Sequence, residues 1–496
     1  MQPLSKRCLL ALSVSALSLS ALSLSACQSP EADTHTQNAN TQNTHTHEET
    51  IAPAKAKNVI LFIGDGMGIS TITAARIFDG QSKGMSGEDN LLSFEHFPNT
   101  SLVRTYNLDS QVADSAGTAS AMNTGLKTQI GKISVQPNAL FAGCGDNSAT
   151  PPVAIADIAE KAGMATGIVS TARLTHATPA AVYGHAASRG WESDADMKDI
   201  GKSNHCPDLA SQLISYTGGV DGLEIALGGG RRAFMPKSMK GGRRKDGKNL
   251  ISAWTDKSDD HIYVSNAREL RALDPKGKKS VLGLFQKSHM SYETDRDNDQ
   301  EPSLTELTQF AIGNLDARGG GYFLMVEAGR IDHAHHGTNA YRALTDTQEL
   351  SRAVAAADAM TNDDDTLILV TADHSHVFTM AGYPALGNPI LGLVRSIDRE
   401  TMKPSTEYAK ARDGKPYTTL GYHNGPNTRT DDDDLSDNVV QGKNYQQQTA
   451  VEMGSETHGG EDVALFAKGP GADKVHGSID QAEIFGIMVD ALGLDK

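Results

Sequence analysis

The densest chemistry in this chain lies at residues 327–336, where two carboxylates and three histidines fall within ten positions. Glu327 and Asp332 offer hard oxygen donors, and His333, His335 and His336 offer imidazole nitrogens. That donor set suits Zn2+ or Mg2+ and is hard to explain as core packing directly after an apolar run. Asp332 and His336 stand four residues apart, which makes them neighbours on one helical face. Ala372-Asp373-His374-Ser375-His376 repeats the theme behind another apolar run, and Glu456-Thr457-His458-Gly459-Gly460-Glu461 brings one more histidine. Taken together, the three clusters predict a metal centre.

Two further segments are weaker alone. Asp65 follows an apolar run in Phe62-Ile63-Gly64-Asp65-Gly66-Met67-Gly68, between glycines that permit close backbone approach and positive φ; by itself it is more simply a turn former. Ser115, in Asp114-Ser115-Ala116-Gly117-Thr118-Ala119, stands at or just before a helix N-terminus, where free N–H groups favour an anion. By itself that is more simply an N-cap.

The elements that must position these residues show in the hydrophobic pattern. Val59-Ile60-Leu61-Phe62-Ile63 is a continuous apolar run, the mark of a strand buried on both faces. Similar runs recur at 165–170, 322–326, 366–371 and 463–466, and helical stretches occupy 153–162, 304–314 and 340–360. Buried strands alternating with helices predict an α/β fold, a three-layer α/β/α sandwich around a central, largely parallel sheet. Reactive residues then collect at the carboxyl ends of the strands. Residues 237–248 are basic and Gly-rich, a surface loop on this reading. Residues from about 380 to 455, rich in Gly, Pro, Asn and Asp, read as an insertion forming a small crown-like subdomain. Its aspartate run at 431–434 lacks the spaced Gly and distal Glu of a calcium loop. No internal repeat is visible.

The N-terminus carries an address. Lys6 and Arg7 precede an apolar, Ser/Ala-rich stretch from 9 to 24, and Leu24-Ser25-Ala26-Cys27 resembles a bacterial lipobox. Residues 1–27 are thus expected to be a lipoprotein signal peptide, with Cys27 lipidated and the mature protein anchored to the outer membrane, in the periplasm or at the cell surface. Residues 28–57, with almost no large apolar side chains, read as a disordered tether, and 58–496 as the globular domain that carries these clusters. Cys8 leaves with the signal, so Cys144 and Cys206 remain. In an oxidising compartment they pair or stay as two free thiols, and pairing would stabilise the fold by roughly 4 kcal/mol. The net charge of −16 argues against a nucleic-acid-binding surface, and it repels anions at long range, so affinity for any phosphate would have to come from local cations.

From Asn58 to the C-terminus the chain resembles the alkaline phosphatase family. The resemblance rests on the order Asp-Gly-Met-Gly, Asp-Ser-Ala, His-Ala-Thr-Pro, Glu-x-Gly-Arg-Ile-Asp-His-x-His-His, Ala-Asp-His-Ser-His and Thr-His-x-Gly-Glu. Ala340-Tyr341-Arg342-Ala343-Leu344-Thr345 and Asp246-Gly247-Lys248-Asn249-Leu250 look closer to the animal-type branch. The resemblance implies a phosphate-monoester hydrolase with two Zn2+ and one Mg2+ per subunit, working through phosphorylated Ser115. One zinc would take Asp332, His336 and His458. The other would take Asp65, Asp373 and His374, with Ser115 beside it. Magnesium would take Asp65, Thr178 and Glu327. Arg189 would clamp phosphate, rather than Arg173; Asp114, His176, His333 and His376 would support these groups from behind. The Cys144–Cys206 pair falls where animal-type members carry a disulfide, and family members are commonly homodimers. Those members also hold a calcium. Here Phe285 matches a ligand position, but Gln286 stands where Glu is expected and Glu301 where Asp is expected, and a further acidic ligand has no clear counterpart in the 231–248 stretch. Calcium is accordingly not expected.

The rival readings are a sulfatase or phosphodiesterase of the same superfamily, and a lipoprotein that captures phosphate or metal without turnover. A sulfatase needs Cys or Ser followed by Pro and Arg, whereas Ala116-Gly117-Thr118 follows Ser115; a diesterase usually has a Thr nucleophile and lacks the arginine clamp.

Overall fold

A computed structural model describes residues 55–139, 144, 150–197, 202, 205–430 and 435–495. The leader with Cys27, most of the tether, and Asp431–Asp434 lie outside the described residues.

Three seven-residue strands are buried along their whole length: β1 (Asn58–Gly64), β7 (Tyr322–Ala328) and β8 (Thr366–Ala372). Their apolar runs have no polar face to turn to water, so they form the middle of the sheet. β1 lies between β8 and β7, parallel to both, and each fully buried Val, Leu, Ile or Phe there contributes roughly 1.5–3 kcal/mol before entropy is counted. The other strands are β2 (Asn99–Arg104), β3 (Ala165–Arg173), β4 (Ile225–Gly229), β5 (His261–Val264), β6 (Ser280–Gln286), β9 (Val463–Lys468) and β10 (Ser478–Asp480). Across the sheet the order is β10-β2-β9-β8-β1-β7-β3-β4-β6-β5. Only β9 runs against its neighbours, antiparallel to both β8 and β2, so the sheet is largely parallel as the pattern predicts.

Helices cover both faces. α1 (Ile69–Ser82), α5 (Leu304–Arg318) and α7 (Ala340–Met360) pack on one another. A second group holds α2 (Ser115–Thr124), α3 (Ile155–Lys161), α4 (Ala177–Tyr183) and α8 (Glu483–Leu492). Each group touches the central strands and no substantial contact joins the two groups, which gives the three layers. Between β8 and β9 the chain builds small sheets of its own: Phe378–Met380 pairs antiparallel with Leu420–Gly425, which pairs parallel with Thr449–Glu452. Cys144 and Cys206 are disulfide-bonded, with Cα atoms 5.3 Å apart.

Register levels the strand ends. Gly64 pairs with Ala328 and with Ala372, and Ile63 pairs with Glu327 and Thr371. Asp65, Glu327 and Asp373 therefore emerge side by side although some 300 residues separate the first from the last. One expectation needs correcting. Most of 237–248 is exposed, but Arg244 is fully buried, held by both oxygens of Asp208 at 2.8 and 3.0 Å and by Asp246 at 2.6 Å. A basic residue in a Gly-rich run looks solvated until the acids that surround it are known.

Candidate active site

Asp114 caps α2, accepting from Gly117 N at 3.2 Å, and this puts Ser115 at the first position of the helix. Ser115 is 2% exposed, and its Oγ lies 3.2 Å from His374 Nε2. That nitrogen is also 3.5 Å from Asp65 Oδ1 and 3.4 Å from Asp373 Oδ2. Asp373 is steadied by Gly66 N and His374 N, each at 2.9 Å.

A second knot forms where α6 (Arg330–His336) meets the pairing of His376 with His458. Asp332 Oδ1 is approached by His376 Nε2 at 3.0 Å, His336 Nε2 at 3.3 Å and His458 Nε2 at 3.4 Å. Backbone carbonyls set the tautomers. His336 Nδ1 donates to Glu456 O at 2.8 Å and His458 Nδ1 to Ala113 O at 2.7 Å, so in the neutral rings both Nε2 lone pairs face Asp332.

The third group joins Asp65 to Glu327 and His176. Ser170 Oγ donates to Glu327 Oε2, and Thr178, in the first turn of α4, is buried beside them. Arg189 Nη1 reaches Asp114 Oδ2 at 3.0 Å, and its Nη2 lies 3.1 Å from His176 Nε2. Asn107 and Gly131 N also bind Asp114, so the carboxylate both caps the nucleophile's helix and holds the arginine.

The electrostatics of this pocket call for cations. Burial drives the Asp65 carboxyl well above its ordinary range, with the charges of Asp373, Asp332 and Glu327 adding to the shift. Burial, then the Asp373 charge, pushes Glu327 up to about 7. Asp373 is raised for the same first reason. Burial holds the His176 and His374 rings well below the usual imidazole range, hence neutral. Burial would raise Asp332 too, but the histidines gathered around it, His376 and His458 foremost, outweigh it and hold it well below. No hydrogen bond satisfies either Asp65 oxygen, Glu327 Oε1, Thr178 Oγ1 or His176 Nδ1, all buried. Buried donors of this kind without partners fit a resident metal. The ligand atoms of Asp65, Asp373 and His374 lie within 4.8 Å of one another, and so do those of Asp332, His374, His376 and His458.

A model of the alkaline phosphatase family matches residues 56–494. The chain belongs to the alkaline phosphatase family. The tissue-nonspecific alkaline phosphatase of Gallus gallus is 43% identical over 445 residues, covering 86% of this chain and 82% of the relative. The alkaline phosphatase of Gadus morhua is 39% identical over 448 residues, covering 87% and 91%. Among solved structures, the alkaline phosphatase of Thermus thermophilus superposes with a TM-score of 0.63 at 25% identity, covering 92% of this chain and 96% of that one. The enzyme from the Antarctic bacterium TAB5 gives 0.61 at 22% identity, covering 90% and 100%. The animal relatives are thus nearer in sequence than these bacterial structures. Phosphate-monoester hydrolysis is the activity that family membership supports.

Within this phosphatase fold the clusters bring together Asp65, Glu327, Asp332, Asp373, His374 and His458, with His336 against Asp332 and Thr178 buried beside Glu327. Arg173 is committed elsewhere, gripping both oxygens of Glu192 at 2.6 Å. His335 is spent on Thr71 at 3.0 Å and Tyr422 at 2.8 Å, tying α6 to α1 and to the inserted segment. Sequence reasoning missed His289, whose ring lies 4.0 Å from that of His333 and 5.3 Å from that of His176. It follows β6 without other chemistry-bearing neighbours, so only the topology reveals it. Glu456 was visible in its motif but had no role. At the position where animal-type members hold calcium, Glu301 accepts from Gln286 Nε2 at 2.8 Å, Ser291 Oγ at 2.7 Å and Ser291 N at 2.8 Å.

Gly66 shows how tightly the pocket is drawn. Its φ is +70°, and a Cβ there would lie 2.3 Å from His376 Nε2. Gly66→Ala carries about 1–2 kcal/mol of left-handed strain and must also displace His376. It is expected to lower the thermal midpoint and to cut activity by more than its stability loss explains. Unchanged melting and kcat would refute that.

Proposed function

We propose that this alkaline phosphatase is zinc- and magnesium-dependent and transfers the phosphoryl group of broad phosphate monoesters first to Ser115 and then to water. The observation that carries the reading is a buried serine at a helix start, within reach of three overlapping ligand clusters and of an arginine anchored by Asp114. Asp332, His336 and His458 would hold one zinc; Asp65, Asp373 and His374 the second; Asp65, Thr178 and Glu327 the magnesium. Bound there, these ions supply the positive charge that a phosphate dianion requires and depress the pKa of the attacking oxygen.

The chain's own groups account for the rest. Arg189 presents a planar fork to two non-bridging oxygens, which a lysine cannot reproduce. The first N–H groups of α2 add positive potential at the same place. Ser115 Oγ bonds to phosphorus as the ester oxygen leaves, and water then cleaves the Ser115–phosphorus bond to release inorganic phosphate. The short Ser115–His374 contact also invites a base-activated serine. His374 Nε2 is shared nearly equally with Asp65 and Asp373, which favours a ligand over a base.

We further propose export, anchoring through Cys27 in the outer membrane, and assembly as a homodimer. The lipobox and the family habit support these.

Turnover of p-nitrophenyl phosphate and of its bis ester, measured alongside metal content, tests the central reading. Monoester turnover should exceed diester turnover by orders of magnitude, with about two zinc ions and one magnesium per chain at full activity. Faster diester turnover, or full activity without bound metal, would reject it.

A further inference from the structure

We infer that Glu456 is a positioning residue for the Asp332–His336–His458 cluster, setting how tightly that cluster holds its metal. The inference rests on the zinc reading above. Glu456 is 1% exposed and makes four hydrogen bonds to His336, His376 and Val377. Its Oε2 accepts from His376 Nδ1 at 2.6 Å, and its Oε1 from Val377 N at 2.9 Å. Its carbonyl accepts from His336 Nδ1 at 2.8 Å, and its own N–H donates to His336 O at 3.1 Å. One residue thus grips two histidines that belong to different elements, α6 and the short strand Ser375–His376.

The geometry gives each grip a consequence. Oε2 fixes the ring plane of His376, whose Nε2 in turn donates to Asp332 Oδ1 at 3.0 Å and leaves Oδ2 clear of that bond. The backbone pair on His336 aims its Nε2 at the same centre. The Oε1 bond to Val377 N seats the turn carrying His458 against the strand with which His458 pairs. Glu456 itself contributes no bond to Ser115 or Arg189. Its effect should therefore appear in metal retention at one zinc position, since partners behind metal ligands commonly set affinity by about 10–100-fold.

The test is zinc competition with a chromogenic chelator on the intact protein, comparing wild type with Glu456→Gln and Glu456→Ala. Gln keeps the volume but has one acceptor for two donors, so it serves if the alanine variant fails to fold. The expected result is one of two zinc equivalents released about 10–100-fold more readily, with lost activity regained when free zinc is raised by the same factor. Wild-type retention in the folded variants, or a loss that added zinc does not reverse, would overturn the inference. A wild-type protein that takes up no zinc would reject the zinc reading itself, and the same titration shows that separately.

Discussion

Ser115→Ala is expected to lower kcat for a phosphate monoester on the order of ten-thousandfold, about 5 kcal/mol of transition-state stabilisation. The variant removes one oxygen, from a side chain that is 2% exposed, and introduces no larger group. α2 keeps its cap, because the Asp114 side chain and not Ser115 accepts from Gly117 N. Folding and zinc content should be those of the wild type, so the loss belongs to the chemical step. The residual rate is water attacking directly in the same charged pocket. Rapid acid quench with labelled substrate supplies the second readout: the wild type should retain phosphate on Ser115 and the variant none. Full activity in a folded, metal-replete Ser115→Ala protein would remove the serine from the mechanism.

Stripping the metals is expected to be as damaging to activity and also to weaken the fold. Asp65, Glu327 and Asp373 are buried together, and each is raised by burial with neighbouring carboxylates adding to the shift. Without cations the pocket must hold like charges with no compensating partner or take up protons, and both routes cost stability. A ligand that binds only the folded state stabilises it by about 2.7 kcal/mol when its free concentration is one hundred times its dissociation constant. Dialysis against a strong chelator should therefore abolish turnover and lower the melting temperature, and adding zinc with magnesium should restore both. Zinc alone should restore less, because the Asp65–Thr178–Glu327 donors are all oxygen and favour magnesium. An apo protein that melts with the holo form and keeps its rate would show that the clusters are structural hydrogen-bond networks.

These two predictions use residues that were legible in different ways. Glu327, Asp332, Asp373 and His374 stand out in the sequence because their donor types crowd directly behind apolar runs. The runs themselves declare buried parallel strands, because β1, β7 and β8 have no polar face and must be covered on both sides. Class and layering follow from that pattern, and with them the gathering of reactive residues at the carboxyl ends of the strands. Ser115 and Asp65 were weaker, each alone better explained as a cap or a turn.

What local pattern could not supply is anything set by pairing at a distance. β2 alternates in burial, and β4, Ile-Ala-Leu-Gly-Gly, is short and glycine-rich, so neither announces itself. Strand order, the antiparallel β9 and the contacts of Arg244 depend on long-range packing. The same is true of His289 and Glu456: an isolated histidine and an unassigned acid gain meaning only from the rings beside them.

The sequence by itself determined the chemistry, since donor identity is a property of side chains and their crowding is visible along the chain. Tertiary structure alone decided the geometry: which oxygen faces which nitrogen, which tautomer the carbonyls at Ala113 and Glu456 impose, and that Asp114 serves Ser115 and Arg189 at once. Apart from the local cap of α2, those contacts join residues tens to hundreds of positions apart, and their distances exist only once the sheet is registered and the core is packed.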